Sequence, residues 1–245
     1  MLISIVGGGG SYPPPGYGGP SALIDTGGEV LVLDCGEDCL TGLAVSGYHP
    51  CDVEAVYVSH VHIDHWAGLP SLVTAKAAES CPRLRVVAEE DVLVDLKPLL
   101  LRVTAASLEP SIVPVVDYSL DGFRLRTFRT EHPVPTYGLT IAEGGVKLVT
   151  YTSDSGFTGA LKSEARGARV LIAEATLPSS LEGIAAGSGH MTVSDFLSLA
   201  EESGAEHAIA VHLSPGSLSE LRERLARGDA PHGVLVGSRG LQLRL

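Results

Sequence analysis

The sequence predicts an α/β fold in which two sheets carry helices on their outer sides, and three observations support it. Strand-like apolar runs crowd the first 34 residues and recur between Ile112 and Tyr151. Helical and strand periods alternate after each of those stretches. The strand-rich then helix-rich order therefore occurs twice, with no repeat at a fixed period. At 245 residues and 44% hydrophobic side chains the chain can bury one sizeable core, so residues 1–245 are read as a single domain.

Leu2–Val6 and Ala22–Ile24 are apolar runs separated by Gly7–Pro20, a glycine- and proline-rich stretch that reads as a long ordered loop. Val30–Leu33 follows Gly27-Gly28, a hairpin signal, so the chain begins as an antiparallel sheet. A helix-like stretch at Asp38–Ser46 precedes the buried-type strand Val53–Val58, which runs into Ser59-His60. Leu69–Ala78 is a helix with Pro70 tolerated in its first turn. Leu84–Ala88 is a strand and Asp91–Leu101 a helix. Strands are then expected at Ile112–Val116, Phe123–Thr130, Tyr137–Ala142 and Val146–Tyr151. From Gly159 the alternation is helix Gly159–Arg166, strand Val170–Glu174, helix Val193–Ser203, strand Ala208–Val211 and helix Leu218–Arg227. Val234–Val236 and Leu241–Leu245 are the last strands.

Composition excludes several function classes. The net charge is −12, from 17 Lys plus Arg against 29 Asp plus Glu, and a protein that grips a nucleic-acid backbone needs a basic footprint. Arg124, Arg126 and Arg129 alternate along one strand and read as its solvated face. No stretch reaches the roughly 18 apolar residues of a membrane helix. Met1–Val6 lacks a basic leader, which points to a cytoplasmic chain. Cys35, Cys39, Cys51 and Cys81 form no zinc-finger spacing and are expected as thiols in a reducing compartment, a disulfide being expected only in a hyperthermophile.

The strongest chemical signal is Ser59-His60-Val61-His62-Ile63-Asp64-His65. His60 and His62, two apart after a strand, can project to one side and bind one metal ion. Asp64 and His65 in the following turn can face a second ion. Three histidines and a carboxylate in six residues are costly to bury without a shared ligand, and zinc takes such nitrogen and oxygen donors. Three further candidates each follow an expected strand: His132, Asp154 and His212. They complete two sets, His60, His62 and His132 on one ion and Asp64, His65 and His212 on the other, with Asp154 able to bridge.

This pattern resembles the HxHxDH signature of the metallo-β-lactamase superfamily, whose remaining ligands come in the order of His132, Asp154 and His212. The resemblance covers essentially the whole chain and implies a four-layer αββα sandwich. Gly189-His190-Met191-Thr192, Ala173-Glu174-Ala175-Thr176, Val211-His212-Leu213-Ser214-Pro215 and the run from His132 to Gly138 resemble segments of the ribonuclease Z-like phosphodiesterases. In that branch the acidic residue and the histidine matching Glu174 and His190 assist proton transfer. Ala173 departs from the pattern, which has histidine there. Only 21 residues separate His132 from Asp154, too few for the protruding arm that grips transfer RNA in this branch.

The resemblance implies a dinuclear metal-dependent hydrolase with two divalent ions, zinc in preference to manganese or iron. A small or cyclic phosphodiester is the expected substrate, transfer RNA and membranes are disfavoured as partners, and a homodimer is expected. Asp64 and Asp154 would orient the attacking water while serving as ligands, and His190, held by Glu174, would protonate the leaving oxygen. The alternatives are a thioester or lactone hydrolase on the same metals and a non-hydrolytic member that binds metal and ligand. Tyr12 and Tyr17 either wall the pocket or pack the Gly7–Pro20 loop.

Overall fold

The computed structural model describes residues 1–104 and 108–245, which divide into two compact units. The first comprises Met1–Gly8, Tyr17–Gly122 and Ser238–Leu245, and the second Gly9–Gly16 and Phe123–Gly237. In chain order the first unit contributes β1 (Leu2–Gly7), β2 (Ser21–Asp25), β3 (Val30–Leu33), α1 (Cys39–Val45), β4 (Ala55–Tyr57), α2 (Leu69–Ala78), β5 (Arg85–Ala88), α3 (Glu90–Val103) and β6 (Ser111–Pro114). The second follows with β7 (Arg124–Arg129), β8 (Tyr137–Glu143), β9 (Val146–Tyr151), α4 (Gly159–Ala165), β10 (Val170–Glu174), α5 (Glu182–Ser188), α6 (Val193–Ser203), β11 (His207–Val211), α7 (Pro215–Arg227) and β12 (Val234–Val236). The last strand, β13 (Gln242–Arg244), belongs to the first unit.

Each unit is built on one mixed sheet. In the first, the order is β13-β1-β2-β3-β4-β5-β6. β1, β2 and β3 are antiparallel neighbours, as the Gly27-Gly28 signal predicts, and Thr26 closes the turn by donating its N–H to the Glu29 carbonyl at 3.0 Å. From β3 to β6 the pairing turns parallel. Those inner strands read VLVL and AVY and are buried throughout, the unbroken apolar run that a sheet covered on both faces demands.

The second sheet has the order β12-β11-β10-β9-β8-β7. β9, β10, β11 and β12 are parallel, and β10 (VLIAE) is buried along its whole length. β8 and β9 form a hairpin across Gly144-Gly145, both at positive φ, and this hairpin occupies residues 137–151. Helices α4, α6 and α7 start at side-chain caps, the first at Thr158. Thr192 and Asp195 form a reciprocal capping box on α6, and Ser214 caps α7 with Pro215 in its first turn.

Three expectations change. The strand expected at Ile112–Val116 ends at Pro114, which has no N–H to extend a ladder, and Val115–Asp117 winds into a 3-10 turn. α5 is an additional helix that the small residues Gly183, Ala185 and Ala186 do not announce. Cys51 and Cys81 are joined in a disulfide, with Cα atoms 5.0 Å apart, rather than standing as thiols. Cys35 and Cys39 are buried thiols, as expected. The Cys39 side chain, with burial second, pushes the Cys35 thiol well above its usual range. Among the described residues no helix is long and apolar enough to cross a membrane.

Candidate metal centre

In the first unit, parallel β3 and β4 end in register at Leu33 and Tyr57, so the residues that follow leave the same sheet edge. Asp34 turns away in the left-handed region at φ 57° and is fully buried. Its Oδ1 accepts the Ser59 N–H at 2.8 Å, and its Oδ2 accepts the Ser59 hydroxyl at 2.8 Å. The same Oδ2 lies 2.7 Å from His65 Nδ1. That contact places the ring proton on Nδ1 and leaves Nε2 as the nitrogen offered outward. His65 Nε2 stands 3.8 Å from Asp64 Oδ2.

His60 follows the same logic. Its Nδ1 is 3.1 Å from the Ser59 hydroxyl, while its Nε2 faces His62 Nδ1 at 3.0 Å. Two imidazole nitrogens on one tetrahedral zinc are about 3.3 Å apart, given Zn–N bonds of about 2.0–2.1 Å. The donor set of this unit therefore suits a borderline-soft divalent ion.

In the second unit, Asp154, Glu174 and His212 stand at or just beyond the carboxyl ends of the parallel strands β9, β10 and β11. Ser153 and His212 both adopt positive φ, 54° and 55°, where the chain turns off the sheet. Asp154 Oδ2 is 3.4 Å from His212 Nε2 and 3.9 Å from His132 Nε2, so one carboxylate sits between two imidazoles. Each ring is held by its other nitrogen. His132 Nδ1 is 3.0 Å from the Gly189 carbonyl, and His212 Nδ1 is 2.8 Å from the Thr176 hydroxyl. Burial lowers the His132 pKa, which favours the neutral ring that binds metal. Gly10 has no side chain because the His212 ring covers it: a Cβ there would stand 2.7 Å from Cε1 and Nδ1.

Glu174 is 1% exposed, and donors surround its carboxylate. Oε1 accepts the Ser155 N–H at 2.7 Å and lies 3.0 Å from His190 Nδ1. Oε2 accepts the Met191 N–H at 3.0 Å and the Thr176 hydroxyl. A buried carboxylate held this way is fixed in place, and it fixes the ring of His190. His190 Nδ1 is also 4.0 Å from Asp154 Oδ2, and the residue lines a cavity of about 240 Å³ with Glu131, Phe157 and Thr158.

The structure thus gathers His60, His62, Asp64 and His65 within the first unit and His132, Asp154, Glu174, His190 and His212 within the second. The sequence reading missed Asp34, Thr176 and Gly10 as supports. Asp34 lies 31 residues before His65, and no local spacing links the two. Of the loop tyrosines, Tyr17 is buried as loop packing and Tyr12 is 74% exposed.

Comparison with known proteins agrees with this geometry. Residues 30–213 match the family model described as the beta-lactamase superfamily domain. The chain is 26% identical over 219 residues to "Probable metallo-hydrolase YhfI" of Bacillus subtilis, covering 87% of each protein. It is 32% identical over 144 residues to a ribonuclease Z of Metallosphaera sedula, a match spanning 58% of this chain and 49% of that enzyme. The crystal structure of YhfI superposes with a TM-score of 0.81 at 23% identity, over 99% of this chain and 98% of that one. A diphosphatase of the PhnP family superposes with a TM-score of 0.78 at 19% identity, over 100% and 97%. The chain belongs to the beta-lactamase superfamily and is a metal-dependent hydrolase with the metallo-β-lactamase fold.

Proposed function

We propose that this chain is a phosphodiesterase acting on small or cyclic phosphodiesters, with residues 1–245 working as one hydrolase domain. The observation that carries the reading is the Glu174–His190 pair beside Asp154, a positioned proton donor next to a carboxylate of the expected ligand set. The relatives' names, a ribonuclease and a diphosphatase, both denote cleavage at phosphorus. We propose two divalent ions, zinc before manganese or iron, held by the ligands that the motif resemblance implies. When bound, they supply Lewis-acid activation of water and neutralise charge on the phosphoryl oxygens.

The chain's own residues do the rest. Asp64 orients the attacking water. His190, as imidazolium, keeps its Nδ1 proton on Glu174 and donates from Nε2 to the leaving oxygen. Glu174 holds that ring in place while Ser155, Met191 and Thr176 hold Glu174. Transfer RNA lies outside this reading, because the hairpin β8–β9 takes up most of the chain between His132 and Asp154 and the net charge is −12. We place the chain in the cytoplasm as a homodimer.

The test is a substrate panel run on metal-analysed protein: bis-p-nitrophenyl phosphate, a cyclic phosphodiester, a thioester and a lactone. Turnover of the phosphodiesters by wild type and its loss in Asp64→Ala are expected. Fully loaded protein that leaves both phosphodiesters intact while cleaving the thioester overturns the proposal.

A further inference from the structure

We infer a second metal site in the first unit, formed by His49, Cys51 and Cys81 when the Cys51–Cys81 disulfide is reduced. The inference is independent of the substrate reading. One donor atom from each of the three residues lies within 4.8 Å of the others, although Cys81 is 30 positions from Cys51. Two thiolates and an imidazole are a set that zinc takes readily, with water completing the tetrahedron. The buried pair Cys35 and Cys39 joins no such group among the described residues.

The backbone that presents these side chains has hydrogen bonds of its own beside the disulfide. His49 caps the short 3-10 turn Pro50–Asp52, its N–H donating to Asp52 Oδ2 at 2.7 Å. Its ring Nδ1 accepts the Cys51 N–H at 3.3 Å, a long contact that a metal can replace. On the other side, the Cys81 N–H donates to the Lys76 carbonyl at 2.8 Å, closing the end of α2. Lys76 then ties α2 to the turn, its ammonium donating to the carbonyls of Pro50 at 3.1 Å and Val53 at 2.7 Å. None of these contacts runs through the sulfur–sulfur bond. Zn–S bonds of about 2.3 Å put two bound sulfurs about 3.8 Å apart, a separation that side-chain rotation supplies. His49 is exposed and both cysteines are half-buried, so reductant and ion can reach them.

Two steps would form the site. A dithiol reductant gives two electrons and two protons to the Cys51–Cys81 bond and becomes a disulfide itself, leaving two thiols. A divalent ion then displaces the two thiol protons and takes His49 as its third ligand. In a reducing compartment the ion would close the same loop that the disulfide closes under oxidation, keeping α2 on the turn that leads into β4.

Cobalt titration of the whole chain tests this, because a thiolate-to-cobalt charge-transfer band distinguishes the site from a centre of histidines and aspartates. Reduced wild type should bind about one more cobalt per chain than oxidised wild type and should show the band. Cys51→Ser and Cys81→Ser should abolish the band, and the exposed His49→Ala should weaken that cobalt at least about tenfold with the fold unchanged. A reduced wild type without the band overturns the inference. So does a band that survives in both cysteine variants, since it would then belong to Cys35 and Cys39, and so does an unchanged affinity in His49→Ala.

Discussion

The carboxylate of Asp34 receives the Ser59 N–H and hydroxyl and holds His65 at Nδ1, all while fully buried. Asp34→Asn keeps the size and removes the charge that fixes the His65 tautomer. Metal affinity should fall about 10- to 100-fold, as for other buried partners of metal-ligating histidines. Competition with a chelator measures this, and an unchanged affinity would show that His65 needs no such orientation. The histidines themselves were legible in sequence because HxHxDH packs its donors into six residues. Asp34 and Thr176 were not, since a support is defined by the neighbouring strand rather than by spacing. Gly10 was hidden in a run of four glycines, and only the ring of His212 shows which one must stay bare.

Among the elements, β7 shows how a strand face can resemble a function and still be structural. Arg124 and Arg126 share one face of the strand, Arg129 lies on the other, and all three are exposed, with Arg126 pairing to Glu164 on α4. Hydrogen bonding from Arg126 holds the Glu164 carboxyl below the usual carboxylate range. Because the folded pKa is the lower one, the pair's stabilisation is present above about pH 4.5 and is lost as pH falls through the folded value. Arg126 is 43% exposed, so Arg126→Ala should cost no more than about 1 kcal/mol at neutral pH, and nothing once Glu164 is protonated. Urea unfolding at several pH values checks this, and a difference that grows toward acid would contradict it. Most elements were legible because apolar period and glycine punctuation agree in them, as at the β2–β3 hairpin. The end of β6 and the whole of α5 were not, because a terminal proline and a run of small residues carry little period.

For the whole molecule, the order of elements announced two sheets, and each unit carries one, with mixed strand directions that the sequence did not announce. The disulfide was not legible: Cys51 and Cys81 are 30 apart, and only the packing of α2 against the turn before β4 brings them together. In the proposed hydrolysis the leaving-group proton comes from His190. The most direct test compares metal-analysed wild type with His190→Ala on two phosphodiesters, one leaving as nitrophenolate and one as an alkoxide. His190→Ala should keep its metal, lose about 10²- to 10⁴-fold in kcat on the alkoxide substrate, and lose far less on nitrophenolate, which leaves without a proton. An equal loss on both substrates, or none on either, would contradict it.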